Sequence, residues 1–81
     1  MDRFIIIGRS SCHFCIHAVD YCIAKRAKYI FLDYSESSHI LEEYKEFYGQ
    51  KTVPIILSNN ISSGLVKVIG GYTDLLECEL L

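Results

Sequence analysis

Hydrophobic and polar positions along the chain fall into blocks that predict alternating strands and helices. In the run RFIIIG, residues 3–8, the four residues after the arginine are continuously apolar and a glycine closes the run, which is typical of a strand covered on both faces. Over residues 12–27 the apolar positions instead recur every three or four residues, which predicts a helix with one buried face. Ser10 and Ser11 are the predicted N-caps of that helix.

A second strand and a second helix follow. The segment YIFLDY, residues 29–34, is rich in aromatic and branched side chains and predicts a strand. Residues 38–48 return to helical spacing, with Ser37 or Ser38 as the cap and Gly49 as the C-terminal stop. The acidic side chains of this segment are therefore expected on a solvated helix face.

The last third of the chain predicts a hairpin and a short helix. Two apolar runs, residues 53–57 and 65–70, flank the turn-rich segment SNNISSG, residues 58–64. The final helix would begin at Thr73 or Asp74, either of which can cap it. The whole order predicts a three-layer α/β domain whose first unit is a right-handed crossover between two parallel strands.

Composition limits what such a domain can do. The chain has 81 residues, 51% of them hydrophobic, which suffices for one compact domain over residues 1–81. A formal net charge of −2 without long runs of like charge argues against a surface for nucleic acid. The first apolar run is too short for a signal-peptide core or a membrane span, so we expect a cytoplasmic protein.

In a reducing compartment, spaced cysteines are more often catalytic or metal-binding than permanently bonded, so the pair Cys12 and Cys15 becomes the leading candidate for chemistry. Cys12 falls in the first turn of the predicted helix, where the backbone N–H groups and the helix dipole favour a thiolate. Cys15 lies one turn further, on the core-facing side, and is suited to attack a mixed disulfide formed at Cys12. Arg9 and His13 add positive charge that favours the Cys12 thiolate.

These residues have two other interpretations. The cysteines of the pair could be structural thiols, or the segment could hold zinc through its four potential ligands: Cys12, His13, Cys15 and His17. On one helical stretch these four cannot close a tetrahedron, so no metal site is predicted. Cys22 and Cys78 lie at apolar positions and are predicted to be buried hydrophobic side chains, and His39 to be a surface residue.

Three segments taken together resemble the glutaredoxin family of the thioredoxin fold. They are the Cys12–Cys15 pair at a helix start, TVP at residues 52–54 opening a strand, and GGYTDL at residues 70–75 opening the last helix. The match covers essentially the whole chain. It implies a thioredoxin-like α/β/α fold with a four-stranded mixed sheet in the order β-α-β-α-β-β-α.

The resemblance also implies a glutathione site. Pro54 would be a cis-proline facing the cysteines, and the Val53 backbone would pair with the cysteinyl part of the tripeptide. Positive charge would meet the glycine carboxylate, and the start of the last helix would meet the γ-glutamyl end. The implied binding residues are Arg9, Lys51, Thr52, Val53, Pro54, Gly71, Thr73 and Asp74.

The sequence departs from the family pattern in three places. His13 stands where the family frequently has a proline, which leaves the redox potential open. The hairpin after Pro54 is longer than usual, with residues 58–64 as the apparent excess. Leu41 falls on or near the position of a polar residue that helps to hold the glycine carboxylate in many members, so weaker glutathione binding is expected.

The predicted function is a glutathione-dependent thiol–disulfide oxidoreductase in which Cys12 attacks and Cys15 resolves. Its partners would be glutathione and disulfide-bearing or glutathionylated proteins, and we expect a monomer. Two alternatives stay open at this point. One is a glutaredoxin-like electron donor reduced by thioredoxin reductase, for example to ribonucleotide reductase, and the other is a carrier of a glutathione-ligated 2Fe–2S cluster.

Overall fold

A computed structural model of the protein describes residues 2–78. Its strands are β1 (Asp2–Gly8), β2 (Lys28–Asp33), β3 (Ile55–Asn60) and β4 (Val66–Gly70). Its helices are α1 (His13–Ala24), α2 (Ser38–Tyr48) and α3 (Tyr72–Glu77). The predicted order β-α-β-α-β-β-α is therefore confirmed. Within this range no helix has both the length and the apolar character needed to cross a bilayer.

The four strands form one mixed sheet in the order β2-β1-β3-β4. β1 pairs with β2 in parallel, whereas β3 runs antiparallel to both β1 and β4. Because β1 and β2 are parallel, their carboxyl ends meet at the same edge of the sheet, where Gly8 pairs with Asp33. The chain that leaves β1 at this edge leads directly to Cys12 and Cys15.

Both faces of the sheet are covered, as the continuous apolar run in β1 predicts. Alternate residues of a strand point to opposite faces, so Ile6 and Ile7, both essentially inaccessible to solvent, enter different cores. One core joins the sheet to α1 and α3 through Phe4, Ile6, Ala18, Cys22, Ile56 and Leu75. The other packs Leu41 of α2 against Ile7, Ile55 and Leu57. The three-layer α/β/α arrangement follows from this division.

The first helix is shorter than predicted at both ends. Cys12 is its N-cap residue, and neither Ser10 nor Ser11 caps it with a side chain. The helix ends at Ala24 instead of residue 27 because Arg26 adopts a left-handed conformation with φ 56°. The N–H groups of Arg26 and the following residue then donate to carbonyls of the last turn, which is the Schellman pattern that closes a helix.

The second helix begins and ends where the sequence predicts. Ser37 occupies the N-cap position, although its side chain makes no capping hydrogen bond. Gly49 takes the left-handed C-cap conformation with φ 66°, which a residue without a Cβ adopts at little cost.

The hairpin is present, but the turn prediction over residues 58–64 is wrong for its first three residues. Ser58, Asn59 and Asn60 extend β3, and the turn is confined to residues 61–65. The polar side chains find partners at the start of β1: Ser58 and Asn60 donate to the Asp2 carboxylate, and Arg3 donates to the Asn59 amide oxygen at 2.9 Å. The residues that lengthen the hairpin are therefore partly explained: residues 58–60 belong to β3 and pair with β1.

Candidate active site

Cys12 lies at the edge of the sheet where α1 begins. Its half-buried side chain faces the segment before β3, and its Sγ lies 3.9 Å from the carbonyl oxygen of Val53. As the N-cap residue, Cys12 directly precedes the first turn of the helix, whose backbone N–H groups point toward this end. The sulfur is thus both accessible and next to backbone that a substrate can pair with.

Cys15 occupies the opposite kind of environment. Its side chain is completely buried, one turn into α1. The pKa of the Cys15 thiol is raised to about 12, mainly by burial; a hydrogen bond from the Arg9 backbone N–H works against this increase, and the neighbouring Cys12 adds to it. Both sulfurs of the pair are free thiols in this structure. The prediction that Cys15 is the less exposed member of the pair is confirmed.

A cleft of about 320 Å³ lies beside the pair. Six of its lining residues are among those predicted for glutathione: Thr52, Val53, Pro54, Gly71, Thr73 and Asp74. The bond between Val53 and Pro54 is cis, as the family resemblance implies. The structure therefore gathers the two distant segments TVP and GGYTDL into one wall next to Cys12.

The two predicted cations lie outside this lining. Lys51 is exposed and faces a neighbouring groove along the end of α2, although it stands between the cleft residues Gln50 and Thr52 in the chain. Arg9 is exposed on the loop that joins β1 to α1, and its backbone carbonyl accepts a hydrogen bond from the Cys12 N–H at 3.1 Å. Both side chains are close in sequence to the site without being part of the cleft wall.

The start of α3 differs from the prediction. Gly71 is the N-cap residue, so neither Thr73 nor Asp74 caps the helix from the predicted position. Asp74 instead lies in the first turn, and its Oδ2 accepts a hydrogen bond from the Gly71 N–H at 2.9 Å. This contact stabilises the helix start because a carboxylate interacts favourably with the free N–H groups there. Gly70, with φ 123°, leads the chain into this turn.

Sequence reasoning missed several residues of the site. Phe14, Gln50 and Tyr72 line the cleft, and the rings of Phe14 and Tyr72 lie 5.8 Å apart between centroids. His17 packs against the same Tyr72 ring. The tyrosine lies within the GGYTDL segment and could have been predicted to line the cleft. Nothing in the local sequence, however, indicates that its ring contacts Phe14.

Asp33 and Ser35 were also missed, and they hold the loop before Cys12. The Asp33 carboxylate accepts hydrogen bonds from the Ser35 hydroxyl and from the Ser10 N–H, the latter at 3.1 Å. The Ser35 hydroxyl lowers the pKa of this exposed Asp33 carboxyl most, and the backbone N–H groups of Ser10 and Ser35 lower it further. Ser10, predicted as a helix cap, therefore ties the loop to the end of β2 instead.

Other predictions for single residues can be checked directly. Cys22 is fully buried and His39 is exposed, as predicted. Cys78 packs against the same core as Cys22 but is only half-buried, so the prediction that it is buried is wrong in degree. Leu41 is buried in the core under α2, so its side chain makes no contribution to a carboxylate site. Over residues 2–78, no three His, Cys, Asp or Glu side chains cluster in a way that could hold a metal ion.

The two buried thiols predict a loss of stability at alkaline pH. Burial raises the pKa of Cys22 from 9.0 to about 11, as it does that of Cys15 to about 12. A thiol whose pKa is higher in the folded state favours folding below pH 9, and this contribution is lost as the pH rises through 9 to 12. Urea unfolding of the reduced protein should therefore give a lower free energy of unfolding at pH 10.5 than at pH 8.

The variant Cys22→Ala is the control for this pH effect. It removes one of the two titrating thiols, so its free energy of unfolding should fall less steeply between pH 8 and pH 10.5 than that of the original chain. An identical slope in both proteins would contradict the assignment of the effect to Cys22.

Comparison with known proteins agrees with this geometry. The family model described as Glutaredoxin matches residues 4–60. The chain is similar to a crystal structure of wheat glutaredoxin, with a TM-score of 0.75 and 23% identity over 91% of this chain and 67% of that one. It is also similar to a solution structure of glutaredoxin from Brucella melitensis, with a TM-score of 0.63 and 25% identity over 93% of this chain and 75% of that one. No curated protein matches the sequence.

Proposed function

The chain belongs to the glutaredoxin family of thiol oxidoreductases, and we propose that it uses glutathione to reduce protein disulfides and glutathione mixed disulfides. One observation carries this proposal: the Cys12 Sγ lies 3.9 Å from the Val53 carbonyl oxygen, beside the cleft walled by Val53, Pro54 and the start of α3. A tripeptide paired with the Val53 backbone would have its cysteine sulfur next to Cys12.

The rest of the cleft suits the γ-glutamyl end of the tripeptide. The free N–H groups at the start of α3 favour a carboxylate. The Asp74 carboxylate, held by the Gly71 N–H through one oxygen, offers its second oxygen to the ammonium group. The rings of Phe14 and Tyr72 border the cleft and can cover the apolar part of the ligand.

The proposed reaction with a glutathione mixed disulfide has two thiol exchanges. The Cys12 thiolate attacks the glutathione sulfur, the bond to the protein substrate breaks, and the substrate leaves as a thiol after taking up a proton. A second glutathione, as thiolate, then attacks the glutathione sulfur held on Cys12. Glutathione disulfide leaves, and the Cys12 thiolate is restored.

Protein disulfides would use Cys15 in the second step. Once Cys12 carries the substrate in a mixed disulfide, the Cys15 sulfur attacks the Cys12 sulfur and releases the second substrate thiol. Formation of the mixed disulfide also removes the Cys12 thiol, one of the groups that raise the pKa of Cys15. The buried thiol thus becomes easier to ionise at the stage at which it has to react.

The test of the proposed function is a comparison of reductants. Turnover of a glutathione mixed disulfide is measured with NADPH, glutathione and glutathione reductase, and in parallel with NADPH and thioredoxin reductase alone. We expect turnover in the first system. Reduction by thioredoxin reductase without any turnover by glutathione would overturn the proposal in favour of an electron donor of the thioredoxin-reductase type.

The same preparation distinguishes the proposed oxidoreductase from a carrier of a 2Fe–2S cluster. Protein purified under anaerobic conditions is examined by visible absorption and by its mass in solution. A coloured dimer without thiol exchange activity would contradict the oxidoreductase proposal. For the oxidoreductase we expect activity in a reducing compartment such as the cytoplasm, in a colourless monomer.

Substitution of Lys51 gives a further test of the proposed glutathione site. If its exposed ammonium group meets the glycine carboxylate at the end of the cleft, Lys51→Gln should raise the KM for glutathione about two- to fivefold, the size of an exposed ion pair. The difference should shrink at high salt. Lys67→Gln, which removes an exposed cation on β4, is the matched control. Equal KM values for the two variants would exclude this role for Lys51.

A further inference from the structure

The Cys15 sulfur packs against the end of β1. Gly8 is buried there, and a Cβ built on it would lie well inside contact distance of the Cys15 Sγ, 3.4 Å from the Cys15 Cβ and 3.7 Å from the Val53 Cβ. The next residue, Arg9, donates its backbone N–H to the same sulfur. The Cys15 Sγ therefore occupies the space that a side chain on residue 8 would fill.

Conformational freedom does not explain a glycine at this position. The glycines with positive φ in the described chain are Gly49, Gly64 and Gly70. Gly8 instead has strand geometry and pairs with Asp33 and its neighbours in the parallel ladder, a conformation that alanine adopts readily. Residue 8 therefore has to be small because the Cys15 sulfur occupies the space that a side chain would fill.

We propose that Gly8 is a positioning residue for the resolving step: its missing side chain sets the depth at which the Cys15 sulfur sits, and hence its approach to the Cys12 sulfur. The inference rests on the two-cysteine mechanism of the proposed function. In that step the Cys15 thiol gives its proton to solvent and the resulting thiolate forms a bond to the Cys12 sulfur. The bond from Cys12 to the substrate sulfur breaks, and the substrate leaves as a thiolate that takes up a proton.

The step is sensitive to position because a disulfide has narrow geometry. The new bond is about 2.05 Å long, with its dihedral angle near 90°. The Cys15 side chain is completely buried, so a methyl group at residue 8 has to displace either the sulfur or the start of α1. A displacement of about 1 Å at a reacting atom can slow a reaction by a factor of about 100.

The experiment uses 5,5′-dithiobis(2-nitrobenzoate), an aromatic disulfide, and no glutathione. All variants carry Cys78→Ser, so that Cys22, the remaining cysteine outside the pair, is fully buried. Attack by Cys12 releases one nitrothiobenzoate in a bimolecular phase, and attack by Cys15 on the resulting mixed disulfide releases a second in a first-order phase. Both phases are followed by absorbance in a stopped-flow instrument.

For Gly8→Ala we expect the first phase to keep its rate and the second phase to slow by about ten- to a hundredfold. Gly64→Ala, a glycine substitution in the exposed hairpin with nothing within 4 Å of its new Cβ, should leave both phases unchanged. Equal slowing of both phases, or no slowing of the second, would overturn the assignment. Because the reagent replaces glutathione, a lack of glutathione turnover in the original chain would affect only the proposed function.

A second pair of variants covers the case in which Gly8→Ala does not fold. In the Cys15→Ala background the sulfur that meets the new methyl group is absent. Gly8→Ala should therefore lower the melting temperature much less in that background than in the presence of Cys15. The same decrease in melting temperature in both backgrounds would mean that the methyl group collides with atoms other than the Cys15 sulfur. The proposed packing of Cys15 against Gly8 would then be wrong.

Discussion

Cys12→Ser is expected to reduce turnover of a glutathione mixed disulfide by about a thousandfold or more, because serine at this position cannot form the mixed disulfide through which both exchanges run. Cys15→Ser should retain this reaction, since in the proposed mechanism glutathione itself resolves the intermediate. The same Cys15→Ser variant should lose the reduction of protein disulfides that depends on the buried thiol. The pair of variants thus separates the attacking role from the resolving role.

The measurement is the coupled assay with glutathione reductase for the mixed disulfide, and a second assay with a protein disulfide. Cys78→Ser makes the same substitution at a half-buried cysteine outside the pair and should retain both activities. Far-ultraviolet circular dichroism verifies that each variant is folded. Equal loss of mixed-disulfide turnover in Cys12→Ser and Cys15→Ser would contradict the division of roles between the two cysteines.

The second large effect is expected at Gly70. Its φ of 123° is a conformation that residues with a Cβ rarely adopt, and a Cβ there would lie 2.8 Å from the Asp74 Cγ. Gly70→Ala should therefore cost about 1–3 kcal/mol of stability from the backbone conformation and push Asp74 away from the Gly71 N–H. Because Asp74 and Gly71 line the cleft, the KM for glutathione should rise about tenfold or more.

Gly64→Ala is the matched control for this prediction. Gly64 also has positive φ, 78°, but it lies in the hairpin turn with no atom within 4 Å of a built Cβ. Its substitution should lower the melting temperature without changing the KM for glutathione. If the two variants change KM alike, the contact between Asp74 and the start of α3 has no part in glutathione binding.

Much of the fold could be predicted from the sequence because it depends on local periodicity. The apolar run of β1 and the three- and four-residue spacing of α1 and α2 each reflect which faces of a strand or helix are buried. The C-terminal stop at Gly49 was also predictable, because a left-handed C-cap favours glycine. These signals lie within a few residues of one another, so the chain carries them without reference to its partners.

Errors arose where a distant partner overrides a local preference. Ser58, Asn59 and Asn60 have the composition of a turn, but the side chains of Asp2 and Arg3 bind them and extend β3. Ser10 has the composition of a helix cap, but its hydrogen bonds go to Asp33 and Ser35. In each case the deciding contact joins residues more than twenty positions apart.

The sequence by itself determined the order of the elements, the placement of Cys12 and Cys15 at the start of a helix with Cys15 on its buried side, and membership in the glutaredoxin family. The tertiary structure alone decided what surrounds each sulfur. Cys12 reaches the Val53 carbonyl because antiparallel pairing brings the end of β1 beside the start of β3. Cys15 rests on Gly8 because α1 packs against the end of β1. Such contacts depend on register across strands, which the local pattern of a chain does not encode.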